Sequence, residues 1–130
     1  MDFMALALEE ARKAGRAGEV PVGCVIARDG RVIAKGRNQR EQKQNALLHA
    51  EVTAINRACR RLRSWRLSDC QMYVTLEPCQ MCLGAAVNAR IKKIFVGARS
   101  TSDLNWETET EFTDNPECRD ILTQFFREKR

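Results

Sequence analysis

The stretch CQMYVTLEPCQMC (residues 70–82) combines a strand pattern with the start of a helix. Residues 70–76 are rich in β-branched and aromatic side chains, which is typical of a β-strand. Pro78 follows closely. Because proline suits a first helical turn, where its missing amide hydrogen has no partner anyway, the sequence predicts a helix over residues 79–89. A C-x-x-C pair therefore lies at the beginning of a helix that follows a strand.

The chain before this stretch alternates between helix and strand patterns. Apolar residues recur at intervals of three and four after an aspartate that can cap a helix, and two glycines end the pattern. Two β-branched runs then flank a tripeptide that favours a tight hairpin turn. The predicted elements are a helix from Asp2 that ends at Gly15 and Gly18, strands over residues 20–27 and 31–38, a turn at Arg28-Asp29-Gly30, and a helix from about Ala50.

The chain after the stretch continues the alternation. A further β-branched run is followed by a polar loop without glycine, a possible edge strand and a last amphipathic helix that an Asn-Pro pair can start. The predicted elements are a strand over residues 91–97, a loop from Ala98 to about Asn105, an edge strand over residues 106–112, and a helix from Asn115-Pro116 whose packed face is Cys118, Ile121, Leu122, Phe125 and Phe126.

The order of elements is therefore α-β-β-α-β-α-β-(β)-α. Strands that are joined through helices imply parallel pairing, with helices on both faces of one mixed sheet. With 130 residues, of which 44% are hydrophobic, the chain suits one domain with a substantial core. We predict a single α/β domain over residues 1–130, built as a three-layer α/β/α fold with a mixed central sheet.

Composition argues against secreted and membrane proteins. The first apolar run meets Glu9 and Glu10 and lacks a small-residue cleavage pattern, so it does not look like a signal peptide. No apolar run approaches the roughly 20 residues that a membrane span needs. We therefore expect a soluble, cytoplasmic protein with no membrane partner, whose six cysteines are reduced.

The charge of the chain favours a polyanionic partner. The net charge is +5 and the sequence pI is about 9.1. A solvated helix face explains each basic cluster equally well, so the charge alone does not decide the partner. The clusters are Arg57, Arg60, Arg61, Arg63 and Arg66; Arg90, Lys92 and Lys93; and Arg127, Lys129 and Arg130.

His49 is the only histidine of the chain, and it lies where the second long helix is predicted to start. A buried imidazole that bonds a backbone carbonyl is the ordinary explanation. However, sites in open α/β sheets form beyond the carboxyl ends of strands, where two helix starts can meet. His49, Cys79 and Cys82 can therefore converge there. One imidazole and two thiolates suit Zn²⁺, and three protein ligands leave the fourth position for water.

Glu51 follows His49 by two residues and can reach a zinc-bound water without being a ligand. Zinc lowers the pKa of such a water to about 7, and a carboxylate can pass its proton to a leaving nitrogen. Two alternatives stay open at this point. C-x-x-C also occurs in dithiol redox couples, and a closed structural zinc site needs a fourth ligand. That ligand could be any of Cys24, Cys59, Cys70 and Cys118.

The combination of H-A-E with P-C-x-x-C resembles the cytidine deaminase superfamily, and most closely its tRNA-specific adenosine deaminases, which convert the wobble adenosine of the anticodon to inosine. The resemblance covers most of the chain. The most specific segments are EVPVGCVI (19–26) and YVTLEPCQMC (73–82). Further segments are the Gly36-x-Asn38 turn, ARIKKIFVGAR (89–99) and the terminal FFREKR.

The resemblance implies a role for several residues and a set of partners. The substrate would be the anticodon stem-loop of a tRNA, and the protein would be a homodimer. Asn38 would hydrogen-bond the target base. The other implied site residues are the zinc ligands His49, Cys79 and Cys82, the proton carrier Glu51, and the backbone around Val20, Ala50 and Pro78, which would shape the pocket.

The sequence departs from the family pattern in two places. Residues 45–48 read Asn-Ala-Leu-Leu where bacterial members usually have Asp-Pro-Thr-Ala. Residues 100–105 replace an acidic residue and a glycine-rich loop that meets the target nucleotide, and this predicts looser discrimination against DNA. Two alternative functions therefore remain: a deaminase of a free base, a nucleoside or another nucleic acid, and a basic RNA-binding module with a structural zinc.

Overall fold

The computed structural model describes residues 1–100 and 108–128. None of the helices in these ranges is long and apolar enough to cross a membrane. The elements are α1 (Phe3–Arg16), β1 (Gly23–Arg28), β2 (Arg31–Arg37), α2 (Arg40–Lys43), α3 (Ala50–Leu62), β3 (Gln71–Leu76), α4 (Gln80–Asn88), β4 (Lys93–Ala98), β5 (Glu109–Phe112) and α5 (Pro116–Glu128).

The five strands form one mixed sheet in the order β2-β1-β3-β4-β5. β1 is antiparallel to both of its neighbours, whereas β3 pairs in parallel with β4 and β4 with β5. The prediction that helix-joined strands pair in parallel is correct for β3 and β4. It is wrong for β2 and β3, because the hairpin partner β1 lies between these two strands although α3 connects them.

Helices cover both faces of the sheet, which confirms the predicted three-layer α/β/α fold with a mixed sheet. Side chains alternate along β1, as the pleat of a strand requires. Cys24 and Ile26 belong to a core cluster with the alanines of α3 and the apolar residues of α4. Val25 points to the other face and packs with α1 and with Cys118 of α5. The sheet is therefore the middle layer between two separate apolar cores.

The β1–β2 hairpin turns at the predicted place. Asp29 and Gly30 both have positive φ, at 52° and 73°, as the central residues of a type I′ turn require. The strand before the turn is shorter than predicted, because Val20 to Val22 form a turn in which the Val22 amide donates to the Val20 carbonyl at 2.9 Å. Pro21 has no amide hydrogen to give to a strand ladder.

The helix α3 packs directly on the backbone of β2. A Cβ atom on Gly36 would overlap the Ala50 carbonyl oxygen and lie 2.7 Å from the Ala54 nitrogen. Ala50 and Ala54 are both fully buried at this contact. The first turn of α3 therefore lies closer to β2 than a side chain at position 36 would allow.

Two helix starts differ from the sequence prediction. α4 begins at Gln80 with Cys79 as its N-cap, so Pro78 precedes the helix and does not stand in its first turn. The short helix α2 was not predicted, because four residues are too few to show a periodic apolar pattern. It ends at Gln44, which adopts the left-handed conformation with φ 48°.

The last helix starts where the sequence predicts. The Asn115 Oδ1 accepts hydrogen bonds from the Glu117 amide at 2.9 Å and from the Cys118 amide, so it caps the helix. Cys118 is buried, but Phe126 is 51% exposed and does not belong to the packed face.

The predicted edge strand is confirmed over Glu109–Phe112. Its first two predicted residues, 106 and 107, lie outside the described residues, as does the loop over 101–105.

Candidate active site

The start of α3 and the start of α4 present the predicted metal-binding side chains. His49 is the N-cap of α3, and Cys79 is the N-cap of α4. Cys82 is the third residue of α4 and faces the same point. Burial and the nearby Glu51 carboxyl group raise the pKa of the Cys82 thiol, so this ligand would lose its proton on metal binding. The two helix starts therefore bring one imidazole and two sulfur ligands together.

The three side chains converge. The Nδ1 of His49 lies 3.6 Å from the Cys79 Sγ and 3.4 Å from the Cys82 Sγ, and all three possible ligand atoms lie within 4.8 Å of one another. With Zn–S near 2.3 Å and Zn–N near 2.05 Å, a tetrahedral zinc separates nitrogen from sulfur by about 3.6 Å. The nitrogen–sulfur distances fit that geometry.

The other four cysteines do not join this cluster. Among the described residues, His49, Cys79 and Cys82 form the one group of three or more side chains that could hold a metal ion. Three of the remaining cysteines are buried elsewhere and one is half-buried. They are Cys24, Cys70, Cys118 and Cys59. A closed structural zinc site with a fourth cysteine ligand is therefore not formed.

Glu51 lies beside the cluster in the first turn of α3 and is 4% exposed. Burial raises the pKa of its carboxyl group to about 7, against smaller lowering contributions from its own backbone amide and from the Cys82 thiol. Burial and the charge of Arg40 both lower the pKa of His49. The imidazole is therefore held in its neutral form, which is the form that binds metals.

A cavity of about 580 Å³ opens next to these residues. Its volume is within the range of small-molecule sites. Its lining combines apolar side chains with acidic, amide and basic ones. The lining residues include Val20, Val22 and Leu76, the acids Glu19, Glu41, Glu51 and Glu77, and Asn38, Arg40, His49, Cys79 and Phe125.

Asn38 lines the cavity, but its side chain also has structural partners. Its Nδ2 donates to the Val20 carbonyl at 3.0 Å, and its Oδ1 accepts from the Ala50 amide at 2.9 Å. The amide group of asparagine has a second hydrogen, so Asn38 retains one donor for a ligand.

The other predicted pocket residues are only partly in the wall. Val20 lines the cavity, whereas Ala50 and Pro78 are buried behind it. Ala50 stands between the lining residues His49 and Glu51, and Pro78 stands between Glu77 and Cys79. Their backbone therefore fixes the wall from behind.

Sequence reasoning missed several lining residues. Phe125 was predicted to belong to the packed face of the last helix, yet it lines the cavity, because α5 packs beside α1 on the face of β3 and β4. The three- and four-residue spacing of apolar residues in this helix is the same for a residue that lines a cavity and for one that packs in a core. The sequence therefore carried no signal for the position of Phe125. Glu19 was also missed, since an isolated acid before a strand is usually exposed.

The loop after β4 is hydrogen-bonded to Glu77, the residue that precedes Pro78. The Glu77 carboxylate accepts a hydrogen bond from the Ser100 amide at 3.0 Å, and the Glu77 amide donates to the Ala98 carbonyl at 2.8 Å. Ser100 stands where the resembling family has its acidic residue. The predicted departure over residues 101–105 lies outside the described residues.

The basic clusters have mixed roles. Arg57 and Arg61 donate to carbonyls of β2, so they fasten α3 to the edge of the sheet. Arg66 and Arg90 lie over the ring of Trp65, which is 56% exposed. In the terminal cluster Arg127 is exposed, and the last two residues lie outside the described ranges. Arg57 and Arg61 therefore stabilise the fold by their hydrogen bonds.

Comparisons with known proteins identify the family of the chain. The family model of the MafB19-like deaminases matches residues 1–130. A tRNA-specific adenosine deaminase of Agrobacterium fabrum is 41% identical and covers 98% of this chain and 94% of its own length. A protein of the same name from Bacillus subtilis is 40% identical and covers 98% of this chain and 89% of its own length.

Solved structures of deaminases share the fold of this chain. A structure from work on A-to-I editing by tRNA:A34 deaminases at the wobble position of transfer RNA superposes with a TM-score of 0.85 at 36% identity, over 92% of this chain and 98% of that one. Guanine deaminase from Bacillus subtilis gives a TM-score of 0.73 at 42% identity, over 78% of this chain and 67% of that one. The chain therefore belongs to the family of the MafB19-like deaminase model and to that of the tRNA-specific adenosine deaminases.

Proposed function

We propose that the protein is a zinc-dependent hydrolytic deaminase that converts adenosine to inosine at the wobble position of a tRNA. The observation that carries this proposal is the cluster of His49, Cys79 and Cys82 beside the buried carboxyl group of Glu51, all at one cavity. The names of the full-length relatives support the choice of substrate.

The donor set and its spacing fit zinc, so His49, Cys79 and Cys82 would hold the ion. Two thiolates and an imidazole are ligands that zinc prefers, and three protein ligands are typical of a catalytic site. When bound, zinc supplies a water nucleophile at neutral pH, since it lowers the pKa of the water in its open position to about 7.

Glu51 is the residue that moves protons. The reaction forms a bond from C6 of adenine to a water oxygen and breaks the bond from C6 to the amino nitrogen, which leaves as ammonia. Protons must therefore move from the water to the ring and to the leaving nitrogen. A carboxyl group with a pKa of about 7 can both accept and donate a proton near neutral pH.

Asn38 and the apolar wall would hold the base. The free amide hydrogen of Asn38 is available to an acceptor on the purine, while its other bonds keep the side chain in place. Val20 and Phe125 contribute apolar surface against the ring faces. The buried backbone at Ala50 and Pro78 fixes the position of the zinc ligands relative to this wall.

An anticodon loop suits this cavity because the target base must be out of any stack when it reacts. The net charge of +5 favours a polyanionic substrate over a neutral free base. A protein that acts on tRNA would work in the cytoplasm.

We also propose a homodimer. Leu47 is 58% exposed and lies two residues before His49 in the chain. Met81 is 36% exposed and lies between the two cysteine ligands. Exposed apolar side chains next to a site favour a protein partner there. Analytical ultracentrifugation of the wild type and of Leu47→Asp tests this, and a wild-type monomer at micromolar concentration would refute it.

A second candidate function is the deamination of a free purine base. The guanine deaminase that is 42% identical over 78% of this chain favours it. Ser100 in place of an acid also favours it, because an expected contact to a nucleotide is weakened.

One set of assays decides between the candidates. The kcat/KM values are measured for an anticodon stem-loop, for its deoxyadenosine version, and for free adenosine, cytidine and guanine. We expect efficient turnover of the stem-loop and measurable turnover of the deoxyadenosine version. Efficient turnover of a free base or nucleoside, with no stem-loop touched, would replace the first candidate with the second.

A further inference from the structure

We propose that Arg40 binds a phosphate next to the target nucleotide, and that the buried carboxylate of Glu19 is the positioning residue that holds Arg40 at the cavity. The inference rests on the proposed function, since a free base or a nucleoside brings no phosphate to this point. It adds a residue that separates nucleic-acid substrates from free bases.

Glu19 is 2% exposed and its carboxylate binds the backbone of α2. The Oε1 accepts a hydrogen bond from the Glu41 amide at 3.1 Å, and the Oε2 accepts one from the Gln42 amide at 2.7 Å. Within the described residues, no Lys, Arg or His nitrogen lies within 4.0 Å of this carboxylate. A buried anion therefore has its charge satisfied by two peptide groups.

The short helix needs this support. A helix of four residues does not form on its own, because the first turn costs more conformational entropy than its hydrogen bonds return. Besides Glu19, α2 is held by the Gln39 amide, which donates to the Leu48 carbonyl at 3.0 Å. Glu19 therefore fixes the position of the first turn of α2.

Arg40 is the first residue of α2 and lines the cavity together with His49 and Cys79. Its side chain is 54% exposed, and its one ion pair within the described residues is with Glu41, at 3.5 Å. Such an exposed pair contributes little, about 0–1 kcal/mol. The guanidinium has five hydrogen-bond donors in a fixed planar arrangement, so it can keep its ion pair with Glu41 and still bind a phosphate.

Substrate chemistry explains why a cation belongs at this place. A nucleotide whose base enters the cavity leaves its ribose and both adjoining phosphates at the entrance. Arginine recognises phosphate through short, charge-assisted hydrogen bonds. A free base has no such group, so Arg40 adds affinity only for a substrate that carries a phosphate.

The first test compares Arg40→Gln with Lys43→Gln. Both variants are loaded with zinc and assayed on an anticodon stem-loop RNA. Both changes remove one positive charge from α2, but Lys43 is exposed and does not line the cavity. We expect Arg40→Gln to raise KM about tenfold or more with kcat little changed. The slope of log KM against log salt should fall by about 0.7, as one lost single-strand phosphate contact predicts. Lys43→Gln should change neither value appreciably, and Arg40→Lys should recover part of the affinity.

The second test concerns Glu19→Gln, which keeps the shape of the side chain and one strong acceptor. We expect KM for the stem-loop to rise and hydrogen exchange at the amides of Glu41 and Gln42 to quicken. If Glu19 acts through Arg40, the change should add little to KM in the Arg40→Gln background, because coupled residues are not additive. A residue that only stabilises the fold would raise KM equally in both backgrounds.

The outcomes separate this inference from the proposed function. Equal KM values and equal salt slopes for Arg40→Gln and Lys43→Gln, with the wild type active on RNA, would overturn the inference and leave the function in place. A wild type that turns over no RNA would overturn both.

Discussion

The Nδ1 of His49 lies 3.4 Å from the Sγ of Cys82, although 33 residues separate the two in the chain. Both side chains stand in the first turn of a helix or just before it, and both helices start at the same end of the sheet. The distance is thus set by the packing of two helix starts, and a local change in either helix alters it.

Replacement of the histidine ligand should remove the metal. We expect His49→Ala to lose its zinc, since two cysteines alone leave the ion without a third protein ligand. Elemental analysis of the purified protein measures this, with Cys59→Ser as a matched control that should keep one equivalent per chain. A full equivalent in His49→Ala would show that the ligand assignment is wrong.

Zinc should protect one particular thiol. Cys79 is exposed, whereas burial raises the pKa of Cys70 and of Cys118 to about 11, so these two are almost wholly thiols at pH 8. We expect iodoacetamide to modify Cys79 first in chelator-treated protein and to leave it unmodified after zinc is restored. Mass spectrometry of the peptides identifies the site. Equal labelling of Cys79 with and without zinc would argue against its role as a ligand.

Loss of the buried carboxyl group should stop turnover without loss of metal. General acid–base groups contribute about 10²- to 10⁴-fold, and Glu51 serves several transfers. We therefore expect Glu51→Gln to lose at least about 10⁴-fold in kcat with zinc content and circular dichroism unchanged. Activity within tenfold of the wild type would make Glu51 a structural residue.

Asn38 should matter for stability as well as for the substrate. Asn38→Ala leaves the Val20 carbonyl and the Ala50 amide without their partner, at a cost of about 1–3 kcal/mol in the free energy of unfolding. Asn38→Asp keeps the acceptor for the Ala50 amide but sets a carboxylate oxygen against the Val20 carbonyl oxygen, so it should be destabilised as well. Urea unfolding compares the two, and an unchanged free energy in Asn38→Ala would contradict the role of these bonds.

The C-terminal residues should contribute to RNA affinity. Arg127 is exposed, and with Lys129 and Arg130 it follows the last apolar residue of the helix. Removal of residues 127–130 should flatten the salt dependence of stem-loop binding by about 0.7 per lost single-strand phosphate contact. Fluorescence anisotropy at several salt concentrations measures the slope. An unchanged slope would show that these charges are merely solvated.

Much of the fold could be predicted because its elements have strong local patterns. The apolar repeats of α1 and α3 and the Asp-Gly turn between β1 and β2 are set by neighbours in the chain. The position of β1 between β2 and β3 is not, because it depends on which strand edges meet after the chain has folded.

The candidate site likewise has one part that local sequence patterns predict and one part that depends on tertiary packing. His49 and Cys79 mark helix starts, so their convergence followed from the topology of an open sheet. Phe125, Glu19 and Arg40 reach the cavity through the packing of α5 and α2, and no spacing in the sequence records that packing. Burial of the Glu19 charge depends on two peptide groups more than 20 residues away.

Gly36 contributes no atom to the cavity, yet the absence of its side chain determines where the beginning of α3 lies on β2. Because the Ala50 carbonyl occupies the space of the missing methyl group, a larger residue there would lift the beginning of α3 away from the sheet. His49 and Glu51 would move outward with it, so their distances to the cysteines of α4 would change. Efforts to change the base preference of this enzyme by altering its wall residues therefore depend on a strand position that no inspection of the wall would identify.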